Sequence, residues 1–543
     1  MIIKKYKTSV NALIKYLLVV LTIFVLYIEA SLFWVSLGGI HPHLLKFEIP
    51  LLMFMSTILY FKNINNSFIK YLIPTVPILT LYILFDIFYN FLERSPRISD
   101  IQNISTIFNF SYEMAFGFIL LSCLIPISIL FLFYQSYKKY TFKRLAVSLS
   151  YKLFLIFIVI STLSSSRFTD YITKSYEYFS WSINISIRNN GRFASFIYYG
   201  SQEKQNYLKI KKYISANNIN EVESALYPGL IKRTPNIHFI VLESFIDPRL
   251  LENIKFSKSP LAMELISYLN KDSCFSYVVS PVYGGGTAQA EFELLTGVPA
   301  LAKINSTEFN VLNGKTVSSF VNHIKELGYN SIATIASNKG FYNSPHAYKS
   351  LGFNKVSFLE ESVDFSRENS DDIIFDGDLF NYNLNRVKNY LDNNNKPVFN
   401  YVLGLYGHFP YKRNANKRPD VIDVSNENIN IYRISNQFYY RTKALAKYIK
   451  ELISIDPNSI IYITSDHLPP IFDNIIEYKY GNHTNISLFI NAGVFIDMNR
   501  RRYYEIPWFI WDLLSESEHK RDFQDSDIEE LYFKLMSESF IQK

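Results

Sequence analysis

Ile237-His-Phe-Ile-Val-Leu-Glu243 is a short apolar run closed by a carboxylate, and it is the stretch on which the fold reading turns. A run of this length, rich in Ile, Val and Phe, predicts a buried strand rather than a helix. Three more runs share the pattern: Ser331–Ala336, Val398–Leu405 and Ser459–Thr464. Helical periodicity appears between and after them, at Phe320–Leu327 and Gln437–Leu452. Strands alternating with helices predict an α/β domain with a mostly parallel sheet from about Pro235 onward. Ligands of such sheets bind beyond the carboxyl ends of the strands.

Chemistry-bearing residues fall at those ends. Glu243 closes the first run, His408 follows Tyr401-Val-Leu-Gly-Leu-Tyr-Gly407, and Asp466 and His467 follow Ile460-Ile-Tyr-Ile-Thr-Ser465. One buried carboxylate at a strand end is an ordinary helix cap or ion-pair partner. Three strand ends, each delivering a ligand-type side chain, resist that account, because unpaired buried charge is costly. Glu243, Asp466 and His467 offer two oxygen ligands and one nitrogen, a mix that suits Mn²⁺ or Zn²⁺ better than Mg²⁺.

A fourth ligand is available in Tyr283-Gly-Gly-Gly-Thr-Ala-Gln-Ala-Glu-Phe292. Three glycines let the backbone approach a ligand closely. Ala288–Leu295 then reads as a helix, with Gly297 as its stop. On local pattern alone, Thr287 is plainly accounted for as an N-cap. With the carboxylates in view it becomes a metal-bound hydroxyl at a helix N-terminus, activated as a nucleophile at neutral pH. His408 is then placed to hold a substrate oxygen or assist the leaving group.

The rest of the chain is organised differently. It is 543 residues long, 49% hydrophobic and 17% aromatic, and the apolar residues crowd into the first third. Five membrane spans are expected: Ala12–Trp34, Ile49–Phe61, Tyr71–Phe91, Met114–Tyr134 and Leu153–Ser164. The first, third and fourth are long enough to cross a hydrocarbon core of ~30 Å, whereas the second and fifth are short. Lys4, Lys5 and Lys7, then Lys62 and Lys70, then Lys138, Lys139, Lys143 and Arg144 fall on one side. The alternate loops hold only Lys46, Arg94 and Arg97. The positive-inside rule then makes the N-terminus cytoplasmic and everything after about residue 165 extracytoplasmic. The first apolar run is too long for a signal peptide and lacks a small-residue cleavage site.

The expected division is therefore 1–165 transmembrane, 166–230 juxtamembrane connector and 231–543 catalytic domain. The connector's Trp181, Phe193, Phe196, Tyr198 and Tyr199 suit a headgroup-level belt, though packing on the soluble domain is the plainer expectation. The net charge of +7 is mild for this length and carries no nucleic-acid signature. Cys123 lies in an apolar run and Cys274 in the soluble part, so no disulfide framework is implied.

Four ordered motifs carry a family resemblance: Val241-Leu-Glu-Ser-Phe245, the Gly-Gly-Thr-Ala-Gln-Ala-Glu-Phe segment around Thr287, Tyr406-Gly-His-Phe-Pro-Tyr411, and Ser465-Asp-His467. Together they resemble the lipoteichoic acid synthase branch of the sulfatase and alkaline phosphatase superfamily, which includes phosphoglycerol transferases acting on glucans. Asn190-Gly-Arg-Phe-Ala-Ser-Phe-Ile197 looks like that family's segment ahead of the catalytic domain. The resemblance implies a multi-span helical membrane domain of five helices followed by an α/β sulfatase-like domain. It implies one divalent metal ion, with Mn²⁺ preferred and Zn²⁺ or Mg²⁺ as alternatives, bound by Glu243, Thr287, Asp466 and His467. Thr287 would attack a phospholipid headgroup, commonly phosphatidylglycerol. A phosphoglycerol-threonine intermediate would then pass its group to an envelope glycan or polymer at the bacterial cytoplasmic membrane.

This sequence departs from the family around the headgroup pocket. In Ile335-Ala-Ser-Asn-Lys-Gly-Phe-Tyr-Asn-Ser-Pro-His346, the family's Trp position is Tyr342, its Arg position is Ser344, and its His is missing. Lys339 or His346 are candidates to hold the phosphate instead. His483, in Gly481-Asn-His-Thr-Asn485, is a further candidate for substrate contact, and Arg500–Arg502 for anionic lipid. Leu468-Pro-Pro470 replaces the Gly that follows Asp-His in sulfatases, which favours a transferase. The rivals are a phosphoethanolamine transferase (phosphatidylethanolamine as donor, lipid A or another glycan as acceptor) and a sulfatase or phosphodiesterase hydrolase. The hydrolase lacks its Cys/Ser-x-Pro-x-Arg motif here. His238, inside a strand, reads as structural.

Overall fold

The computed structural model describes residues 2–35, 41–61, 64–92, 95–96, 112–138, 142–163, 165–216, 226–269, 275–359, 373–471 and 477–540. Lys62, Arg94, Arg97, Lys139, Ser164 and Cys274, all singled out above, lie outside the described residues. The chain divides into two compact units, Met1–Gln205 and Asn206–Lys543.

The first unit is helical. Three stretches are long and apolar enough to cross a membrane: Asn11–Ala30, Ser67–Asn90 and Phe116–Tyr137. Of the two shorter expected spans, Ile49–Phe61 matches the shorter apolar helical segment Glu48–Leu59, whereas Leu153–Ser164 shares only its first half with the segment Val147–Ile158. Buried charge knits this unit together. Glu48, at the start of its helix, accepts from the main-chain N–H groups of Phe193 (3.0 Å) and Ala194 (3.1 Å) and from the Tyr82 hydroxyl. It thereby satisfies the first turn of the helix Arg192–Ala216. Arg192 pairs with Asp86 at 3.0 Å, and Asp86 also accepts from Tyr27 at 2.7 Å. Gly191 is needed at this junction. Its φ is +97°, and a Cβ there would collide with the Glu48 carboxylate. Four of the connector's aromatics, Phe193, Phe196, Tyr198 and Tyr199, pack within this unit, and Trp181 is exposed. Phe193 packs with Tyr16, Phe24 and Tyr82, while Phe196 and Tyr199 pack with Phe85 and Tyr89. Cys123 is an exposed free thiol.

The second unit is built on an eight-stranded sheet. Its strands are β1 (Ile237–Leu242), β2 (Ser276–Val279), β3 (Asn330–Ile335), β4 (Lys355–Phe358), β5 (Val398–Gly404), β6 (Ile460–Ser465), β7 (Thr484–Asn491) and β8 (Val494–Ile496). The spatial order is β2-β7-β6-β1-β5-β3-β4, with β8 paired to β7. β6, β1, β5, β3 and β4 run parallel, and β7 is antiparallel to β6, β2 and β8. The sheet is mostly parallel, as the alternating pattern predicted.

Side chains alternate across it. Phe239, Phe399 and Tyr401 point to the side of the helices Thr287–Thr296 and Phe320–Glu326. His238 and Asn400 point to the side of Asp376–Asn393 and Ile429–Ile455. With helices on both faces, β1, β5 and β6 are buried along their whole length. His238 bonds Asp456 at 2.9 Å and Asn400 at 3.2 Å, so it is a satisfied core histidine.

Candidate active site and metal centre

β1 pairs with β6 in a register that sets Leu242 opposite Ser465. The residues that follow, Glu243 on one strand and Asp466 and His467 on the other, emerge side by side at the carboxyl edge. The Glu243 N–H is held by the Gly404 carbonyl at the end of β5 (2.8 Å) and the Asp466 N–H by the Leu242 carbonyl (3.3 Å). All three side chains are buried, and their ligand atoms lie within 4.8 Å of one another. His467 Nε2 is 3.3 Å from Glu243 Oε1 and 3.3 Å from Asp466 Oδ2. Its Nδ1 lies 3.1 Å from the Leu468 carbonyl. An N–H at Nδ1 donating to that carbonyl leaves the Nε2 lone pair aimed at the two carboxylates, the arrangement of a ligating histidine.

Thr287 completes the group. It is the first residue of the helix Thr287–Thr296, which Gly297 ends in a left-handed conformation. The N-cap is Gly286 and not Thr287, and no side chain caps this helix. Gly284, Gly285 and Gly286 all have positive φ, and a Cβ on Gly286 would meet Gln289 and Val282. The turn they make brings the threonine hydroxyl down onto the carboxylates. Oγ1 donates to Asp466 Oδ2 at 2.8 Å and lies 3.3 Å from Glu243 Oε2.

The remaining lone pairs are accounted for locally. Asp466 Oδ1 accepts from the N–H groups of Ser244 (2.8 Å) and His467 (2.7 Å). The Ser244 hydroxyl donates to Glu243 Oε1 at 3.0 Å. Burial pushes the Glu243 carboxyl up to about 7, and the Asp466 carboxylate beside it adds to the rise. Burial alone would lower the His467 imidazole, but Asp466 and Glu243 outweigh it and raise it. Two buried carboxylates, one imidazole and one hydroxyl facing a common point form a donor set that fits a divalent cation.

The other expected residues distribute unevenly. Tyr342 is buried, at a φ of +49°. Burial, together with the nearby Glu243 and Asp466 carboxylates, raises its hydroxyl well above the ordinary range, while the Gly286 main chain opposes the rise. It therefore borders the cluster. His408 is exposed in the turn after β5, with Nδ1 2.8 Å from the Phe409 carbonyl. It is close enough to Glu243 to lower that carboxyl. Lys339 lies half-buried in the turn after β3, at the same sheet edge. His483, exposed just before β7, bonds the Ser280 carbonyl at 3.0 Å. Ser344 starts a helix and donates to the Phe341 carbonyl, and His346 packs beside Gly314. Arg500 and Arg501 lie over the rings of Tyr480 and Phe509, and Arg502 donates to the Tyr504 hydroxyl at 3.2 Å.

Several supporting residues carried no sequence signal. Arg441, from the helix Ile429–Ile455, donates to the Glu243 carbonyl at 2.9 Å and to Asp376 at 2.5 Å, with both charges buried. The Ser280 hydroxyl donates to the Asp466 carbonyl, and the Ser465 hydroxyl to the His467 carbonyl, each at 2.7 Å. Glu291, one turn beyond Thr287, accepts from Tyr348 (2.5 Å) and Tyr401 (2.6 Å) and so anchors the threonine helix to the sheet.

Residues 235–522 match the family model described as Sulfatase. A protein of Rhizobium meliloti (strain 1021) named "Putative cyclic beta-1,2-glucan modification protein" is 28% identical over 246 residues, which cover 44% of this chain and 36% of that protein. A second protein, from Haemophilus influenzae, matches over 34% of its own length. The chain thus spans about a third of the length of the curated relatives it matches. Among solved structures, the lipoteichoic acid synthase LtaP of Listeria monocytogenes is 17% identical with a TM-score of 0.45, covering 56% of this chain and 80% of that one. The phosphoglycerol transferase GacH of Streptococcus pyogenes, in complex with sn-glycerol-1-phosphate, is 17% identical with a TM-score of 0.44, covering 63% and 92%. The family model spans more than half of the chain and takes in Glu243, Thr287, Asp466 and His467, and the chain belongs to the sulfatase family.

Proposed function

We propose that this protein is a membrane-anchored, metal-dependent phosphotransferase. It moves a phosphoglycerol-type headgroup from a phospholipid to an envelope glycan or polymer through a covalent phosphothreonine intermediate. The observation that carries this reading is the Thr287 hydroxyl, set at a helix N-terminus within hydrogen-bond reach of Asp466 and beside Glu243 and His467. The apolar helices of the first unit support a membrane location. The lysine-rich loops support a cytoplasmic N-terminus and an extracytoplasmic catalytic unit at the bacterial inner membrane.

Glu243, Asp466, His467 and the Thr287 oxygen would hold the cation, with Mn²⁺ the best match to two carboxylates and one imidazole. When bound, the cation supplies positive charge that lowers the pKa of the threonine hydroxyl and offsets charge on the phosphoryl oxygens. The Asp466 carboxylate that accepts the hydrogen bond of the Thr287 hydroxyl takes its proton as Oγ1 attacks phosphorus, forming the Oγ1–P bond as the P–O bond to diacylglycerol breaks, and returns it when Thr287 is displaced. The uncapped N-terminus of the helix Thr287–Thr296 presents N–H groups to the phosphoryl oxygens. His408 gives the departing alkoxide its proton, then takes the proton of the acceptor hydroxyl that displaces Thr287. Tyr342, Lys339 and His483 surround the headgroup, which is where this chain differs from the glycerol-phosphate pocket it resembles.

The test uses purified full-length protein in detergent with headgroup-labelled phosphatidylglycerol or phosphatidylethanolamine. Label is expected on Thr287 from phosphatidylglycerol, with release of diacylglycerol, and removal of metal is expected to stop both. Thr287→Ala should lower turnover by at least about 10³-fold while leaving the fold intact. Label arriving from phosphatidylethanolamine alone would reassign the headgroup, and undiminished turnover by Thr287→Ala would remove the nucleophile.

A further inference from the structure

The helix that begins with Thr287 carries a buried carboxylate one turn further on. Glu291 is 2% exposed, and its Oε1 accepts from the Tyr348 hydroxyl at 2.5 Å and from the Tyr401 hydroxyl at 2.6 Å. Both donors are fully buried. Thr287 and Glu291 lie four residues apart and so share a face of the helix. Burial pushes the Glu291 carboxyl up to about 7; the two hydroxyls oppose the rise, and the nearby Asp466 and Glu243 carboxylates add to it.

The two donors come from elements that themselves build the site. Tyr401 lies on β5, whose last residue, Gly404, holds the Glu243 N–H at 2.8 Å. Tyr348 lies on the helix Ser344–Leu351, which starts two residues after Tyr342. The turn ahead of that helix is itself fixed. Asn343, at a φ of +56°, donates through Nδ2 to the carbonyls of Phe309 (2.8 Å) and Leu312 (2.7 Å). One carboxylate oxygen thus ties together the threonine helix, β5 and the helix behind Tyr342. A buried carboxyl is a costly way to pack a helix, and an apolar side chain would do that alone. Glu293 supplies the contrast. It is equally buried on the same helix, but it meets the main chain of Ala300 (3.0 Å) and of Tyr504, neither of which leads into the site.

We propose that Glu291 is a positioning residue: through Tyr348 and Tyr401 it holds the Thr287 hydroxyl in register with its ligand cluster and with Tyr342. The inference rests on the nucleophile reading above and adds to it a group that touches neither metal nor substrate. What matters is the pair of hydrogen bonds and not the net charge, since a neutral amide oxygen also accepts two hydroxyls. A nucleophile displaced by about 1 Å loses on the order of 10²-fold in rate. Glu243, Asp466 and His467 stay where they are, so the loss is felt in kcat and not in KM or metal affinity.

The experiment uses the full-length protein with headgroup-labelled phosphatidylglycerol, well below the unfolding midpoint of every variant. Glu291→Leu should lower kcat at least about tenfold while KM and Mn²⁺ affinity stay within about threefold. Glu291→Gln should keep kcat within about threefold of the wild type. Tyr348→Phe combined with Tyr401→Phe should match the loss in Glu291→Leu, and adding Glu291→Leu to that pair should cost less than about threefold more. Glu293→Leu is the control, expected to lower the unfolding midpoint but to leave kcat within about threefold. Wild-type kcat in Glu291→Leu, a Gln variant as slow as the Leu variant, or an equal kcat loss in Glu293→Leu would each overturn the assignment. A second arm uses no turnover. Amide hydrogen exchange in the segment 284–292 should quicken at least about tenfold in Glu291→Leu and in the double Phe variant, but not in Glu291→Gln or Glu293→Leu. Unchanged exchange in Glu291→Leu would also overturn it. If the wild type takes no label from any lipid, the transferase reading fails, and the exchange arm still judges the anchor.

Discussion

A methyl group on Gly407 would overlap the main-chain carbonyl oxygen of Glu243 and crowd the Arg441 guanidinium. Neither neighbour can yield easily. Glu243 is tied to Gly404 through its N–H and to Arg441 through its carbonyl, and Arg441 is locked to the buried Asp376. Gly407→Ala is therefore expected to displace Glu243 from the ligand cluster. Titration with Mn²⁺ or Zn²⁺ should show affinity weakened at least tenfold, of the size seen when second-layer partners of ligands are lost. Chemical denaturation should show a loss of about 1–3 kcal/mol, typical of overpacking. Wild-type metal affinity in this variant would contradict the coupling. Glu243, Asp466 and His467 were legible beforehand because each directly follows an apolar run, and a sheet gathers such ends at one edge. Asp376 and Arg441 were not, since they reach Glu243 only through contacts 65 and 198 residues apart in sequence. The Thr287 cap was misread by local pattern for a related reason. A threonine before a helix looks like an N-cap until the positive φ of Gly286 turns its hydroxyl away.

At the scale of elements, β1, β3, β5 and β6 could be read because strands covered on both faces are continuous apolar runs. β2 and β4 have four residues each and are only partly buried, β8 has three, and β7 mixes Thr, Asn and Ser with its apolar residues. The short elements carry too little hydrophobic signal to be separated from loops, and β7, though internal to the sheet, loses its apolar run to those polar residues. The helix Arg192–Ala216 crosses the boundary between the two units at Gln205. Its first turn is satisfied by Glu48 in the first unit. Its last turns belong to the second core, where Ile210 is buried and Tyr213 stacks on Phe533 at a centroid distance of 3.9 Å. Lys209 adds a hydrogen bond to the Ile304 carbonyl at 3.1 Å. A fragment of residues 206–543 is therefore expected to be more stable than one of residues 226–543, by about 2–4 kcal/mol from the apolar area that Ile210 and Tyr213 cover. Urea titration of the two fragments measures the difference. Equal midpoints would mean that the helix contributes nothing to the second core.

For the whole molecule, the consequence lies in joining an apolar helical unit to a catalytic unit in one chain. A phospholipid headgroup is confined to a surface, so a freely diffusing enzyme meets it only by collision. A tethered one experiences an effective concentration that reaches roughly the millimolar range for a short connection. The two units make separable contributions in this account. The second unit holds the full set of Glu243, Thr287, Asp466 and His467 and needs no residue of the first to form it. The first supplies stretches that can reside in a bilayer. The fragment 206–543 should therefore cleave a water-soluble chromogenic phosphodiester at a rate within about threefold of the full chain, since it retains Glu243, Thr287, Asp466 and His467. On vesicles of phosphatidylglycerol the same fragment should transfer label at least tenfold more slowly than the full chain reconstituted in those vesicles, because it has lost only proximity. Raising the vesicle concentration should narrow that gap, as it does for any deficit of encounter. A gap that stays constant with lipid concentration would instead mean that the helical unit contributes groups to the chemistry itself.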